Sequence, residues 1–130
     1  MIKDGEAMNK NKAHILRLDT IVDNKESSKL TVYSDFNFIG IVNLEFKNTI
    51  VSYGYGLYVH EDFRRQGIGT SLIKECFRIS EENGCEAFSI VLSKDNIDIK
   101  NFYTRLGFIV SYQYDNGDLL MTKVLSKVSQ

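Results

Sequence analysis

The chain has 130 residues, of which 43% are hydrophobic, and a formal net charge of -1 at pH 7. This length suits one domain that buries its own core, and the balanced charge gives no basis for nucleic-acid binding. No apolar run approaches the roughly 20 residues of a membrane-spanning helix, and residues 1–5 lack the apolar core of a signal peptide, so we expect no membrane association and a cytoplasmic location.

The first half of the chain predicts a series of short strands. Residues 1–11 are polar and without periodicity, so we expect them to form a flexible tail. Stretches of β-forming residues then alternate with clusters of turn-forming residues, the usual pattern of strands joined by tight connections. The predicted strands are 13–22, 30–33, 38–46 and 50–59, with turns at 23–28, 34–37 and 47–49. Gly54 and Gly56 lie inside the fourth strand, where glycine marks a bulge or a close approach by another group.

A helix is predicted after the fourth strand. From Ile68 the apolar residues recur at helical spacing to about Glu82, and Asn83-Gly84 provides the left-handed residue that ends such a helix. Cys76 falls on the apolar face of this helix, and Cys85 follows its end. Two reduced thiols in or near the core are the simpler interpretation, and a disulfide or a metal pair is the alternative.

A second helix and three further strands complete the chain. Asp95 or Asn96 caps this helix, which runs through Leu106 and which Gly107 terminates. The strands are 87–92, 108–114 and 119–125, and the last two are joined by a hairpin at Asp115-Asn116-Gly117. The crossover from the fourth strand through a helix to the fifth implies one parallel pair. We therefore predict one α+β domain over residues 1–130, with a mixed, mostly antiparallel seven-stranded sheet and helices on its faces.

The junction between the fourth strand and the first helix has the features of a phosphate-binding turn. It reads Leu57-Tyr58-Val59-His60-Glu61-Asp62-Phe63-Arg64-Arg65-Gln66-Gly67-Ile68-Gly69-Thr70. Gly67 and Gly69 leave the unpaired N–H groups of the first helical turn open to a ligand. Arg64 and Arg65 add positive charge beside the positive end of the helix dipole. The segment lacks the Lys-Ser/Thr of a P-loop and the G-x-G-x-x-G spacing of a dinucleotide fold, and taken alone it could also be a tight turn with solvated arginines.

Two motifs carry a resemblance to a known family. The pattern Arg64-x-x-Gly67-x-Gly69, after Leu57-Tyr58-Val59, resembles the coenzyme A pyrophosphate loop of the GNAT superfamily of N-acyltransferases. Residues 96–108 resemble that family's N-x-x-A-x-x-F/L-Y-x-x-x-G-F segment, with Ile99 where a small residue is usual. An amphipathic helix with a buried tyrosine would explain the second motif alone. Both motifs in order, separated by a helix and a strand, make coincidence improbable. The resemblance covers about residues 38–125.

The resemblance implies an N-acetyltransferase that moves an acetyl group from acetyl-CoA to a primary amine by direct attack, without a metal. Tyr103 would be the acid that protonates the leaving thiolate, since the ordinary pKa of tyrosine, about 10, is close to that of a thiol. Tyr58 is the second catalytic candidate, because backbone N–H groups near residues 56–59 would stabilise the oxyanion and pair with the pantetheine arm. The implied coenzyme contacts are Leu57, Val59, Arg64, Arg65, Gln66, Gly67, Ile68, Gly69, Thr70, Asn96 and Tyr103, with Lys100 or Lys74 at the 3′-phosphate.

The general base is not assigned by this resemblance. Family members with a glutamate on the fourth or fifth strand would place it near Tyr53 or Val91, and neither residue is a carboxylate. Glu45 and His60 are substitutes, and a water chain or an amine of low pKa would also serve. Proximity contributes much of the catalysis in such a reaction, so activity is still expected.

The acceptor site is also expected to be unusual. The helices that relatives insert between their first two strands are reduced or absent, because only residues 23–29 are available. These helices form one wall of the acceptor site in relatives. Without them, the site is open to a large substrate, or a second subunit of a homodimer supplies the missing wall. Few carboxylates could converge on a small polycation, chiefly Glu45, Glu61 and Asp62, which favours a protein lysine or N-terminal amine over a small-molecule amine. A non-catalytic coenzyme A-binding sensor or interaction module is the alternative of another class.

Overall fold

The computed structural model describes residues 17–24, 27–34, 37–46, 50–65 and 67–125. Its strands are β1 Arg17–Asn24, β2 Ser27–Ser34, β3 Asn37–Phe46, β4 Val51–Val59, β5 Ala87–Leu92, β6 Ile109–Gln113 and β7 Leu119–Val124. Its α-helices are α1 Ile68–Glu82 and α2 Ile97–Arg105, and a short 3-10 helix spans Glu61–Phe63. The strands are hydrogen-bonded in the order β1-β2-β3-β4-β5-β7-β6. The predicted tail, residues 1–11, lies outside the described residues.

The predicted mixed sheet is confirmed. The register Val51↔Ala87 to Gly54↔Ile90 makes β4 and β5 a parallel pair, as the helical crossover between them requires. Antiparallel pairing joins β1 to β2, β5 to β7 and β6 to β7. Residues 25–26 alone separate β1 from β2, which leaves no room for a helix between these strands. No helix of the described residues is long and apolar enough to cross a membrane.

Contacts between residues divide the chain into two compact units, each built from two segments. The first unit contains residues 1–43 and 56–75, and the second contains residues 44–55 and 76–130. The single domain that we predict over residues 1–130 stays a prediction.

The core of the first unit lies where α1 begins. Ile68 and Leu72 lie one helical turn apart and are buried, as is Ile39 of β3. Gly40 lies against this face of the helix. A Cβ atom at Gly40 would come within 2.9 Å of the backbone oxygen of Tyr58 and 3.4 Å of the Leu72 side chain. Glycine at this position therefore lets β3 approach both its neighbouring strand and the helix.

Aromatic side chains form the core of the second unit. The rings of Phe77, Phe88 and Phe108 lie with each pair of centroids 5.8 Å apart, within the range of favourable aromatic contacts. Gly54 makes room for one of them, because a Cβ atom there would lie 2.5 Å from the Phe88 ring. This explains one of the two strand glycines as a close approach. The predicted state of the cysteines is confirmed, since both are free and buried.

Helix ends and the hairpin follow the sequence closely. α1 ends at Glu82, and Gly84 takes the left-handed conformation with φ of 84°. Asn96 caps α2, which ends at Arg105, one residue earlier than predicted, before Gly107 with φ of 99°. Gly117 of the predicted hairpin has φ of 95°. Left-handed backbone at each of these positions is what glycine tolerates without a steric penalty.

The first strand ends two residues later than predicted. We predict residues 13–22, whereas β1 spans Arg17–Asn24 and residues 13–16 lie outside the described range. The predicted turn over 23–28 is also too long, because Asn24 still pairs with Ser27. The cross-strand ladder continues past an irregularity between Val22 and Asn24, and this pairing overrides the turn preference of single Asp, Asn and Ser residues.

Candidate functional site

The turn between β4 and α1 is a compact, hydrogen-bonded segment. The N–H of His60 donates to the Ile39 oxygen at 2.7 Å, which ties the end of β4 to β3. Nδ1 of His60 then accepts a hydrogen bond from the Asp62 N–H at 3.1 Å and so caps the short 3-10 helix. The chain reaches α1 through Arg64, Arg65, Gln66 and Gly67, of which Gln66 lies outside the described residues.

The backbone at the start of α1 leaves hydrogen-bond donors open. The first hydrogen bond of the helix runs from the Ser71 N–H to the Gly67 oxygen at 2.9 Å. The N–H groups of residues 68–70 therefore precede the helical ladder and have no acceptor within it. Gly67 has φ of 84°, and apart from its chain neighbours no heavy atom of the described residues lies within 4 Å of an ideal Cβ there. The turn therefore has space for an anion next to backbone hydrogen-bond donors and the positive end of the α1 dipole.

Arg65 also takes the left-handed conformation, with φ of 65°. A residue with a Cβ atom pays a steric cost in this region, and nothing in the sequence indicates that an arginine would occupy it. The turn thus places two left-handed residues, Arg65 and Gly67, just before the helix. Sequence reasoning assigned the turn's shape to the glycines and missed this contribution.

Arg64 points back along the strand that precedes it. Its Nε–H donates to the Val59 oxygen at 2.7 Å, and its guanidinium carbon lies 5.7 Å from the centroid of the Tyr58 ring. That ring stacks in parallel on Phe38, with centroids 6.3 Å apart and an angle of 5° between the planes. Arginine, tyrosine and phenylalanine therefore form an exposed stack at the end of β4. Spacing in the sequence gave no signal of it.

The other predicted coenzyme contacts of the first unit differ in how far their side chains are exposed to solvent. Only 3% of the surface of Ile68 is accessible, so its side chain belongs to the core and only its backbone N–H can face a ligand. Leu57, Val59, Gly69 and Thr70 are half-buried, and Lys74 is exposed.

The second predicted motif lies wholly in the second unit. Asn96 is exposed, and its Oδ1 accepts a hydrogen bond from the Ile99 N–H at 3.1 Å. This bond is a regular helix N-cap, and it leaves the Asn96 NH₂ group as a donor for another partner. Lys100, the candidate for the 3′-phosphate, is half-buried on the same helix.

Tyr103 lies on the buried face of α2. Its ring packs edge-on against Phe102 and Phe108 with centroids 5.0 Å apart in both pairs, and 6% of its surface is accessible. Burial, with a smaller contribution from the neighbouring Cys76, raises the pKa of Tyr103 to about 12. The hydroxyl is therefore a weaker acid than we assumed from the ordinary pKa of tyrosine. It stays protonated at neutral pH and is suited to donating a hydrogen bond.

The structure gives His60 no free lone pair for a role as base. Its Nδ1 already accepts the Asp62 N–H, so in the neutral ring the proton sits on Nε2. Glu45 and Tyr53 are half-buried, and 53% of the surface of Val91 is accessible. The base stays unassigned. Within the described ranges, no cluster of three or more His, Cys, Asp or Glu side chains could hold a metal ion.

Comparisons with known proteins agree with this arrangement. A family model described as the acetyltransferase (GNAT) family matches residues 5–108. The PaiA N-acetyltransferase from Thermoplasma acidophilum, solved in complex with coenzyme A, is 23% identical with a TM-score of 0.70. That match covers 76% of this chain and 61% of the other, so the chain spans about three fifths of the length of that protein. A search of curated proteins gave no match.

Two further solved structures have the same fold at lower identity. The ribosomal-protein-S18-alanine N-acetyltransferase from Escherichia coli is 15% identical, with a TM-score of 0.70 over 83% of this chain and 75% of that one. An aminoglycoside 6′-N-acetyltransferase complexed with coenzyme A is 16% identical, with a TM-score of 0.71 over 82% of this chain and 77% of that one. One name specifies a protein acceptor and the other a small molecule, so similarity of fold does not choose between these classes.

Proposed function

The chain belongs to the acetyltransferase (GNAT) family, and on this basis we propose that it is an N-acetyltransferase that moves the acetyl group of acetyl-CoA to a primary amine. The observation that carries the proposal is the open backbone at Gly67, next to the N–H groups of residues 68–70, which have no acceptor within the ladder of α1. Such a site favours a bound anion, and the pyrophosphate of coenzyme A is the anion that family membership suggests. Structures of relatives with coenzyme A bound support this assignment.

The proposed reaction is a direct attack on the thioester. The neutral amine nitrogen forms a bond to the carbonyl carbon, and backbone N–H groups near the end of β4 stabilise the oxyanion that results. Gly56 has φ of 70°, a conformation that redirects the peptide groups of β4 just before Leu57. The C–S bond then breaks, the amine proton passes to solvent, and the thiolate takes a proton from solvent. We assign Tyr103 to the thiolate as a hydrogen-bond donor, because a pKa of about 12 disfavours complete proton transfer from its hydroxyl.

We further propose that the acceptor is a macromolecule, a protein lysine or an N-terminal amine. The direct connection of β1 to β2 supports this, since no helix between these strands encloses a small substrate. The positions of Glu61 and Asp62 also disfavour a small polycationic acceptor. Both carboxylates lie in the turn between β4 and α1, where we place the coenzyme, and Oδ2 of Asp62 is 3.9 Å from Nδ1 of His60. A homodimer that rebuilds the wall, and a cytoplasmic location, stay predictions.

Steady-state kinetics with three kinds of acceptor test this choice. Peptides with a free lysine or a free N-terminal amine, an aminoglycoside and spermidine would be compared at the same acetyl-CoA concentration. We expect saturable acetylation of a peptide. Efficient acetylation of the aminoglycoside or spermidine, with all peptides inert, would overturn the macromolecular acceptor and leave the acetyl-transfer proposal intact.

The alternative of another class is a domain that binds coenzyme A without catalysis. The unassigned base is the feature that favours it. Tight binding of acetyl-CoA with no turnover against any amine would support that alternative.

A further inference from the structure

We propose that Arg64 is a positioning residue for coenzyme A, which acts through the hydrogen bond of its Nε–H to the Val59 oxygen and not through its positive charge. The inference rests on the proposed function, because it takes the end of β4 as the backbone that pairs with the pantetheine arm. It differs from the expectation that Arg64 simply adds charge beside the pyrophosphate.

The contacts of Arg64 favour the strand. At 2.7 Å, the bond from Nε to the Val59 oxygen is short and has a charged donor, which makes it one of the stronger kinds of hydrogen bond. The guanidinium also lies 5.7 Å from the Tyr58 ring centroid, within cation–π distance. Both contacts direct the side chain toward β4. An exposed arginine loses conformational entropy when it adopts one geometry, and the two contacts of Arg64 offset that cost.

Val59 is the last residue of β4, and the peptide groups around it are fixed from two sides. The N–H of the next residue, His60, donates to the Ile39 oxygen at 2.7 Å, while Arg64 holds the carbonyl of Val59 itself. These two bonds fix the orientation of the peptide plane between Val59 and His60. The bond from Arg64 also joins the strand end to the turn that precedes α1. A ligand that contacts both the strand and the turn therefore depends on this connection.

Two substitutions separate the hydrogen bond from the charge. In glutamine, the Nε2 donor is attached to Cδ, the same place in the side chain as Nε of arginine, so Arg64→Gln keeps the donor to Val59 and removes the charge. Arg64→Lys keeps the charge and places a methylene where the donor was. Arg65→Gln is the matched control, because it removes a charge from the neighbouring exposed residue.

Isothermal titration calorimetry with coenzyme A measures the effect of each change. We expect Arg64→Lys to weaken binding about tenfold, the usual result of losing a hydrogen bond with a charged donor. Arg64→Gln should retain affinity within about threefold, the loss reflecting the weaker hydrogen bond of a neutral donor and the missing cation–π contact. The nucleotide fragment 3′-phospho-ADP lacks the pantetheine arm, so Arg64→Lys should bind it as well as the wild type does. Arg65→Gln should weaken both ligands alike, because a lost charge acts on phosphate in each.

The opposite order of the two variants would overturn the inference. If Arg64→Lys binds coenzyme A like the wild type while Arg64→Gln loses affinity, Arg64 acts through its charge. Equal losses for coenzyme A and 3′-phospho-ADP in Arg64→Lys would overturn it as well. A wild-type chain that does not bind coenzyme A refutes the proposed function itself. Binding by the wild type with no change in either Arg64 variant refutes this inference alone.

Discussion

Alanine at Gly67 should abolish most coenzyme binding, whereas alanine at Gly84 should leave binding unchanged. The two glycines form a matched pair at opposite ends of α1. Each has φ of 84°, and at each, apart from chain neighbours, no heavy atom of the described residues lies within 4 Å of an ideal Cβ. The added methyl group therefore brings the same backbone strain at both positions. Only at Gly67 does it lie at the N-terminal end of α1, where we place the pyrophosphate.

The expected magnitudes follow from these two effects. Left-handed backbone costs alanine roughly 1–2 kcal/mol more than glycine. For a chain of this size, that strain should lower the unfolding temperature of both variants by roughly 3 to 10 °C. At Gly67, one hydrogen bond to a charged phosphate is also lost, at about 1.5–3 kcal/mol. Acetyl-CoA affinity should then fall roughly 10- to 100-fold in Gly67→Ala alone.

Calorimetric titration with acetyl-CoA measures the affinities, and thermal unfolding without ligand measures the strain. Equal affinity in Gly67→Ala and the wild type, with similar destabilisation of both variants, would contradict the placement of the pyrophosphate at this turn. A loss of affinity that also occurs in Gly84→Ala would show that strain in α1, and not contact with the ligand, weakens binding.

Substitutions at three further residues test other parts of the account. Tyr103→Phe should lower kcat roughly 10- to 100-fold in a steady-state assay, as expected for losing a donor to the leaving group. Because burial raises the pKa of Tyr103 to about 12, its contribution to the free energy of unfolding is complete below pH 10 and is lost as the pH rises toward 12. Plots of unfolding free energy against pH for the wild type and the Phe variant should therefore converge in that window. Parallel plots would contradict the burial of the hydroxyl. Asn96→Asp keeps the cap on the Ile99 N–H and loses the NH₂ donor, so it should weaken coenzyme binding while the unfolding free energy stays unchanged. Asn96→Ala should weaken binding and also lower the unfolding free energy by about 1 kcal/mol, because the cap is lost. Unchanged affinity in both variants would remove Asn96 from the coenzyme site. Gly54→Ala should destabilise the chain by roughly 1–3 kcal/mol in urea unfolding, because its Cβ would lie 2.5 Å from Phe88, and wild-type stability would show that the aromatic cluster can shift freely.

Features that depend on local chemistry were predictable from the sequence. Gly84, Gly107 and Gly117 each take the left-handed backbone that their positions after a helix or in a hairpin require. Asn96 caps α2 because its short side chain reaches the N–H three residues later. The parallel pairing of β4 and β5 follows from the helix between them. The glycines and the helix cap depend on few neighbours, so single-residue preferences suffice to predict them, whereas the parallel pair follows from the order of the elements along the chain.

Features that depend on distant parts of the chain were not predictable. The bounds of β1 are set by its ladder with β2, in which Arg17 pairs with Tyr33, and not by the imperfect alternation of its own residues. The left-handed backbone of Arg65 has no marker in the sequence, because arginine gives no preference for it. The raised pKa of Tyr103 depends on how deeply α2 is buried. The bond from Arg64 to Val59 likewise needs a folded turn.

Turnover of acetyl-CoA in the presence of a peptide with a free amine is the most direct test of the proposed function. The purified chain would be assayed for release of coenzyme A thiol, with mass spectrometry of the peptide to detect an added acetyl group. We predict saturable, enzyme-dependent thiol release with one acetyl group on an amine, strongly reduced in Gly67→Ala and retained in Gly84→Ala. Binding of acetyl-CoA with no thiol release above background, for peptides and small amines alike, would contradict the assignment of an acetyltransferase.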